Sequence, residues 1–73
     1  MRSLSEISVG TTVKVKAISK DSSVKRRLLE MGIVPGIEVL VKGKAPLGDP
    51  IEIVLRGYKL TLRKEEAASI LVE

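Results

Sequence analysis

Arg26-Arg27-Leu28-Leu29-Glu30-Met31-Gly32-Ile33-Val34-Pro35-Gly36 is the stretch from which the fold is read. Val24, Leu28 and Met31 stand at i, i+4 and i+7, which stacks them on one face of a short amphipathic helix over about 24–31. Gly32 follows where a helix most readily stops, because glycine enters the left-handed region without steric cost. Pro35-Gly36 then fits the centre of a type II turn, proline presetting φ at its first position and glycine supplying positive φ at its second. Such a helix is too short to persist alone, so its apolar face must pack on a sheet.

Working outward, the sequence on both sides alternates with the period of strands. Thr11 to Ile18 puts Val13, Val15 and Ala17 on one side and Lys14 and Lys16 on the other, with Ile18 ending or kinking the pattern. A polar connector follows, in which Asp21, Ser22 or Ser23 caps the helix. Beyond the turn, Ile37 to Lys42 directs Ile37, Val39 and Val41 inward and leaves Leu40 outward between Glu38 and Lys42. Residues 43–50 form a loop rich in proline and glycine. Ile51 to Arg56 and Tyr58 to Arg63 form a hairpin about Arg56-Gly57, with Tyr58, Leu60 and Leu62 inward and Val54 outward between two charges. A helical turn over 64–69 and a short closing strand over 70–72 complete the chain, and Leu4 to Ile7 forms a lead-in turn. The sum is a mainly β domain over 1–73: a small, strongly curved SH3-like antiparallel barrel of about five strands, with a helix inserted after the first. Such folds host many functions, so function must come from the residues.

Composition excludes several classes of chemistry. The 73 residues contain no cysteine and no histidine, so there are no disulfides, no thiolate nucleophile and none of the commonest metal ligand or general base. The nine acidic residues are scattered singly apart from Glu65-Glu66, which makes no hard-cation loop. We therefore expect no catalytic, cofactor or metal residues. No Gly-x-x-x-x-Gly-Lys-[Ser/Thr] phosphate loop is present either. A net charge of +4 favours acidic partners mildly. Nucleic acid is not expected, because Tyr58 is the only aromatic residue and no stacking platform can be built from it. The amino-terminal residues lack the apolar core of a secretory signal, and the longest apolar runs, such as Val39-Leu40-Val41, are only three residues. A bilayer needs about 20. We expect a soluble cytoplasmic protein with no direct membrane insertion.

The quoted stretch, with three further segments, resembles the FeoA family. These are Ala45-Pro46-Leu47-Gly48-Asp49-Pro50-Ile51 as its central loop, Gly57 in its hairpin, and Leu62-Arg63-Lys64-Glu65-Glu66-Ala67-Ala68-Ser69-Ile70 as its closing segment, all in the family's order. The resemblance implies a small SH3-like accessory protein of bacterial ferrous iron uptake. Its implied partner is the FeoB-type permease, whose cytosolic part binds GTP. A similar fold occurs at the carboxyl end of some iron-dependent transcriptional repressors, joined to a DNA-binding domain that this sequence does not show. A basic small barrel associating with nucleic acid or with a transcriptional regulator is the competing expectation. The family offers no agreed catalytic residues to carry over.

Three surfaces then stand as candidates for binding a partner. Arg26 and Arg27, with Lys25, form the densest basic cluster, read either as a docking site for an acidic patch or as a solvated helix face. Leu29 lies about 100° round the helix from Leu28. It either packs beneath the Ile33-Val34 loop or joins that docking edge. Leu40 and Val54 form a patch for a partner peptide or for homo-oligomerisation if their strands are neighbours, or are half-buried by a tightly curled sheet. Leu47 is presented near the tip of the proline-rich loop as an anchor, and Asp49 is read as capping that turn through its own backbone.

Overall fold

The computed structural model describes residues 2–19 and 22–73. Strands β1 (Arg2–Ser3), β2 (Thr12–Ile18), β3 (Glu38–Lys44), β4 (Ile51–Leu55), β5 (Tyr58–Leu62) and β6 (Ile70–Val72) form one antiparallel sheet in the order β1-β6-β2-β3-β4-β5. Helix α1 (Ser22–Glu30) follows β2, and α2 (Lys64–Ala68) links β5 to β6. A single 3-10 turn, Leu4–Glu6, separates β1 from β2. The expected mainly β, SH3-like architecture is therefore present, with the helix after the second strand and not after the first, because Arg2–Ser3 adds a strand ahead of Thr12–Ile18.

The curvature has a traceable origin in β2. Its first half, Thr12 to Lys14, pairs with Leu40 to Glu38 of β3, whereas its second half, Val15 to Ile18, pairs with Val72 to Ile70 of β6. The register shifts between Val15 and Ala17, and β3 shifts likewise between Val41 and Gly43 where it faces β4. Extra residues at such points raise local twist and bend a strand, so the sheet folds over its own core. The shift at Ala17 explains why Ile18 is buried despite breaking the alternation. One core results, built from Leu4, Ile7, Val15, Leu28, Ile33, Val39, Val41, Ile53, Leu62 and Ile70 among others, each nearly inaccessible to solvent.

The decisive stretch behaves as its residues dictate. Gly32, at φ +94°, closes α1: the Ile33 N–H donates to the Leu28 carbonyl at 3.0 Å and the Gly32 N–H to the Leu29 carbonyl at 3.0 Å. This pair of bonds satisfies the carbonyls that every helix end leaves open. A Cβ on Gly32 would meet Leu55 Cδ1 at an ordinary 3.8 Å, so the need for glycine here is torsional and not a matter of space. The Ile37 N–H donates to the Val34 carbonyl at 3.2 Å across Pro35-Gly36, with Gly36 at φ +95°, as a type II turn requires. The Gly36 N–H and Ile37 carbonyl then bond Val15 at 2.8 and 2.9 Å, which ties the turn to the bend in β2.

Several expectations need correction. There are six strands, because Arg2–Ser3 pairs with Val72 and Leu71 of β6. Two residues carry no readable periodicity. β3 continues to Lys44 across Gly43, since the register shift absorbs the glycine that reads as a loop boundary. Closure of the sheet is not made by hydrogen bonds among the described residues, and β1 and β5 remain its outer strands. Tyr58 is 70% exposed and not inward. It follows the hairpin turn at the free end of an outer strand, where burial rises only gradually through half-buried Leu60 to buried Leu62. Asp21, one of the suggested helix caps, lies outside the described residues.

Two local features make measurable predictions. Arg56 occupies φ +50° in the two-residue hairpin turn before Gly57, where both central residues have positive φ. The Cβ of an L-residue resists that region, and asparagine tolerates it better than arginine. Arg56→Asn is expected to stabilise the domain by about 0.5 kcal/mol in urea unfolding. Glu6 Oε2 accepts from the Ser3 N–H at 2.8 Å and from Ser3 Oγ at 3.1 Å. Those bonds favour the carboxylate and hold Glu6 below the usual glutamate range. The stabilisation is thus complete above the unfolded value of about 4.3 and is lost as pH falls through the lower folded value. Thermal midpoints measured from pH 6 to 2, on the order of one pH unit apart, should fall less steeply for Glu6→Gln than for the wild type.

Candidate functional site

The six residues named from the sequence separate into three places. Leu40 and Val54 are direct partners across β3 and β4, and the same rung continues to Thr12 of β2 and Lys59 of β5. Both are half-buried, forming a strip on the outer sheet face that the curl of the sheet partly covers. Beside the strip, Thr12, Gly36, Ile37, Leu55 and Arg56 complete a shallow recess. This face carries charges of both signs. Lys14 lies opposite Glu38 in register, and Lys59 Nζ stands 3.9 Å from Glu52 Oε2.

Leu47 stands alone at the tip of the 45–50 loop and is 89% exposed. The loop is closed beneath it by the Gly48 N–H to the Ala45 carbonyl at 2.7 Å and the Ala45 N–H to the Pro50 carbonyl at 3.1 Å. The Asp49–Pro50 peptide is cis. Asp49 is a correction: Oδ1 accepts from the Lys64 N–H at 3.0 Å, so it caps α2 from across the molecule and does not cap its own turn. That bond leaves unsatisfied neither the carboxylate nor the first N–H of α2.

Helix α1 carries the third place. Leu28 is fully buried, while Leu29, next in the chain, is 39% exposed and sits in an open groove with Lys25, Arg26 and Glu30. Leu29 thus lies on the exposed edge of the helix beside Lys25 and Arg26. Arg27 is drawn to the other side of the helix. Its Nη1 stands 3.2 Å from Oε2 of Glu66, whose side chain is 7% exposed. Glu66 Oε1 in turn accepts from the Arg63 N–H at 2.9 Å, so one buried carboxylate caps α2 and clasps it to α1. Arg27 therefore holds the platform, and Lys25 and Arg26 are left beside Leu29 with no ion pair among the described residues. The sequence offered no sign of Glu66, because Arg63 stands where a capping pattern would show serine or threonine.

Among the described residues no group of three or more acidic side chains converges to hold a metal ion. No described helix is long and apolar enough to cross a membrane. The apolar groups named from the sequence therefore lie on three separate surfaces: the outer edge of α1, the β3–β4 strip and the tip of the 45–50 loop.

Comparison with known proteins agrees with the resemblance drawn from the sequence. The family model described as the FeoA domain matches residues 2–73. The chain is 37% identical over 70 residues to an Fe(2+) transport protein A/Fe(2+) transporter FeoB fusion protein of Porphyromonas gingivalis, covering 96% of this chain but only 8% of the fusion protein. Among solved structures, an FeoA-like protein from Clostridium acetobutylicum is 51% identical with a TM-score of 0.92, over 99% of this chain and 84% of that one. FeoA from Stenotrophomonas maltophilia, complexed with zinc and described as an SH3 domain protein, is 30% identical with a TM-score of 0.87, over 100% of this chain and 91% of that one.

Proposed function

Because the chain belongs to the FeoA family, we propose that it is a non-catalytic accessory protein of ferrous iron uptake that binds the cytosolic part of a FeoB-type permease. The observation that carries this reading is the Porphyromonas relative, in which a segment similar to this chain is joined to FeoB in one polypeptide. Fusion holds two domains at an effective concentration that free proteins reach only by affinity for one another. Chemistry in the chain itself is disfavoured by a sequence without histidine or cysteine. An adaptor can change a partner's assembly or GTP cycle only by binding its states with different affinities. The recognition is aliphatic and electrostatic, since one exposed tyrosine cannot line a groove for proline-rich ligands.

Co-purification tests the reading directly. The chain should be retained by the permease's cytosolic GTP-binding region, or by the full permease in detergent, and its retention should depend on the bound nucleotide if it acts on the GTP cycle. Absence of binding to both would overturn the proposal.

A further inference from the structure

We infer that the outward face of α1 is the surface that meets the permease, and that the segment it receives is acidic with one apolar side chain among its carboxylates. This inference rests on the accessory reading and adds the place and chemistry of contact. Charge complementarity selects this face over the other two. The Leu40–Val54 strip is half-buried and has the acidic Glu38 and Glu52 among its cations, and Leu47 projects alone. On α1, by contrast, Lys25 and Arg26 have no ion pair among the described residues and flank an exposed leucine in one groove. The first turn of α1 holds no acidic residue, although the helix dipole favours one there and disfavours Lys25. Nothing in the fold itself requires that local cost.

Leu28 anchors the inner side of α1 in the core, and the Arg27–Glu66 contact faces α2 and leaves Lys25, Arg26 and Leu29 outward. A preformed face loses little freedom on binding. Leu29 would fill the centre of the contact, with Lys25 and Arg26 steering and orienting the carboxylates around it. Glu30, at the end of the groove, excludes acidic groups there and sets the direction of the incoming segment.

The test compares binding of the permease's cytosolic region, by isothermal titration, to the wild type, to Lys25→Glu/Arg26→Glu, to Leu29→Ser and to Lys16→Glu/Lys42→Glu. The last variant changes net charge equally on exposed strand positions. Circular dichroism and thermal midpoints confirm folding of each. Expected are a Kd raised at least about tenfold by each α1 variant and less than about threefold by the strand variant. Wild-type affinity should fall steeply between about 0.05 and 0.5 M salt, and this dependence should flatten in the α1 double variant. If the wild type binds but α1 and strand variants weaken it equally, or the α1 variants bind normally, this surface is wrong and the accessory reading stands. If the wild type does not bind the cytosolic region, this inference falls, and the accessory reading falls with it when the full permease in detergent is not bound either. If the chain instead self-associates and Leu29→Ser disperses it, the occupant is a second copy and the inference is overturned.

Discussion

Leu28→Ala is expected to remove a large share of the domain's stability. A fully buried leucine replaced by alanine costs about 3–4 kcal/mol, from lost transfer energy and the cavity left behind. A chain of 73 residues has about 4–11 kcal/mol of stability in total. Leu28 is also poorly placed for its neighbours to collapse around the gap. Its carbonyl receives the Ile33 N–H that closes the helix, and Ile33 is itself inaccessible to solvent, so the backbone holds the cavity open. Leu29→Ala is the control, one residue away. Its side chain is already partly in water, and the cost should stay below about 1 kcal/mol. Urea unfolding of the three proteins side by side checks this. Equal losses at 28 and 29 would mean that α1 is rotated from its described orientation.

Glu66→Ala should be the second most damaging change, at about 1–2 kcal/mol. The alanine removes the acceptor of the part-buried Arg63 N–H, and loss of a helix-capping bond costs about 0.5–2 kcal/mol. The Arg27 contact adds little on its own, because the guanidinium side is 62% exposed and solvent screens it. Arg27→Met should therefore cost less than about 1 kcal/mol while keeping the stem's packing. Glu66→Gln should fall between the two, since the amide oxygen still accepts from Arg63. A double-mutant cycle over Arg27 and Glu66, read by urea unfolding, separates the pair from the cap. A full loss in Arg27→Met would show that the salt bridge, and not the capping bond, is the larger contribution.

The parts of this molecule that were legible in the sequence are those governed by near neighbours. The alternation of Val13, Lys14, Val15 and Lys16, the helical spacing of Val24, Leu28 and Met31, and the stops at Gly32 and Pro35-Gly36 each depend on a few adjacent residues. The adjacency of Leu40 and Val54 was open to the sequence only as a condition, because register is fixed by pairing between strands. What escaped is long-range. Asp49 reaches Lys64, Arg27 reaches Glu66, and β1 reaches β6, none of which leaves a local pattern. Tyr58 misled for a related reason: parity gives the face of a strand, whereas burial also depends on whether anything lies beyond its end. For the candidate site, the basic edge of α1 was readable, but only the structure divides it into a supporting Arg27 and an outward Lys25 and Arg26.

The division of β2 between two ladders bears on how the chain assembles. Its pairing with β3, and the run from β3 through β4 to β5, join segments close in sequence, so little loop entropy opposes them. Its pairing with β6 joins Val15 to Val72 and can be made only by enclosing nearly all of the intervening chain. The same strand therefore joins a meander of nearer contacts at one end to a distant seam at the other, and stopped-flow folding of variants in the two ladders is expected to show the meander forming first. The bend at Ala17 is the boundary between them, and the Gly36 N–H and Ile37 carbonyl bonded to Val15 tie that boundary to the turn.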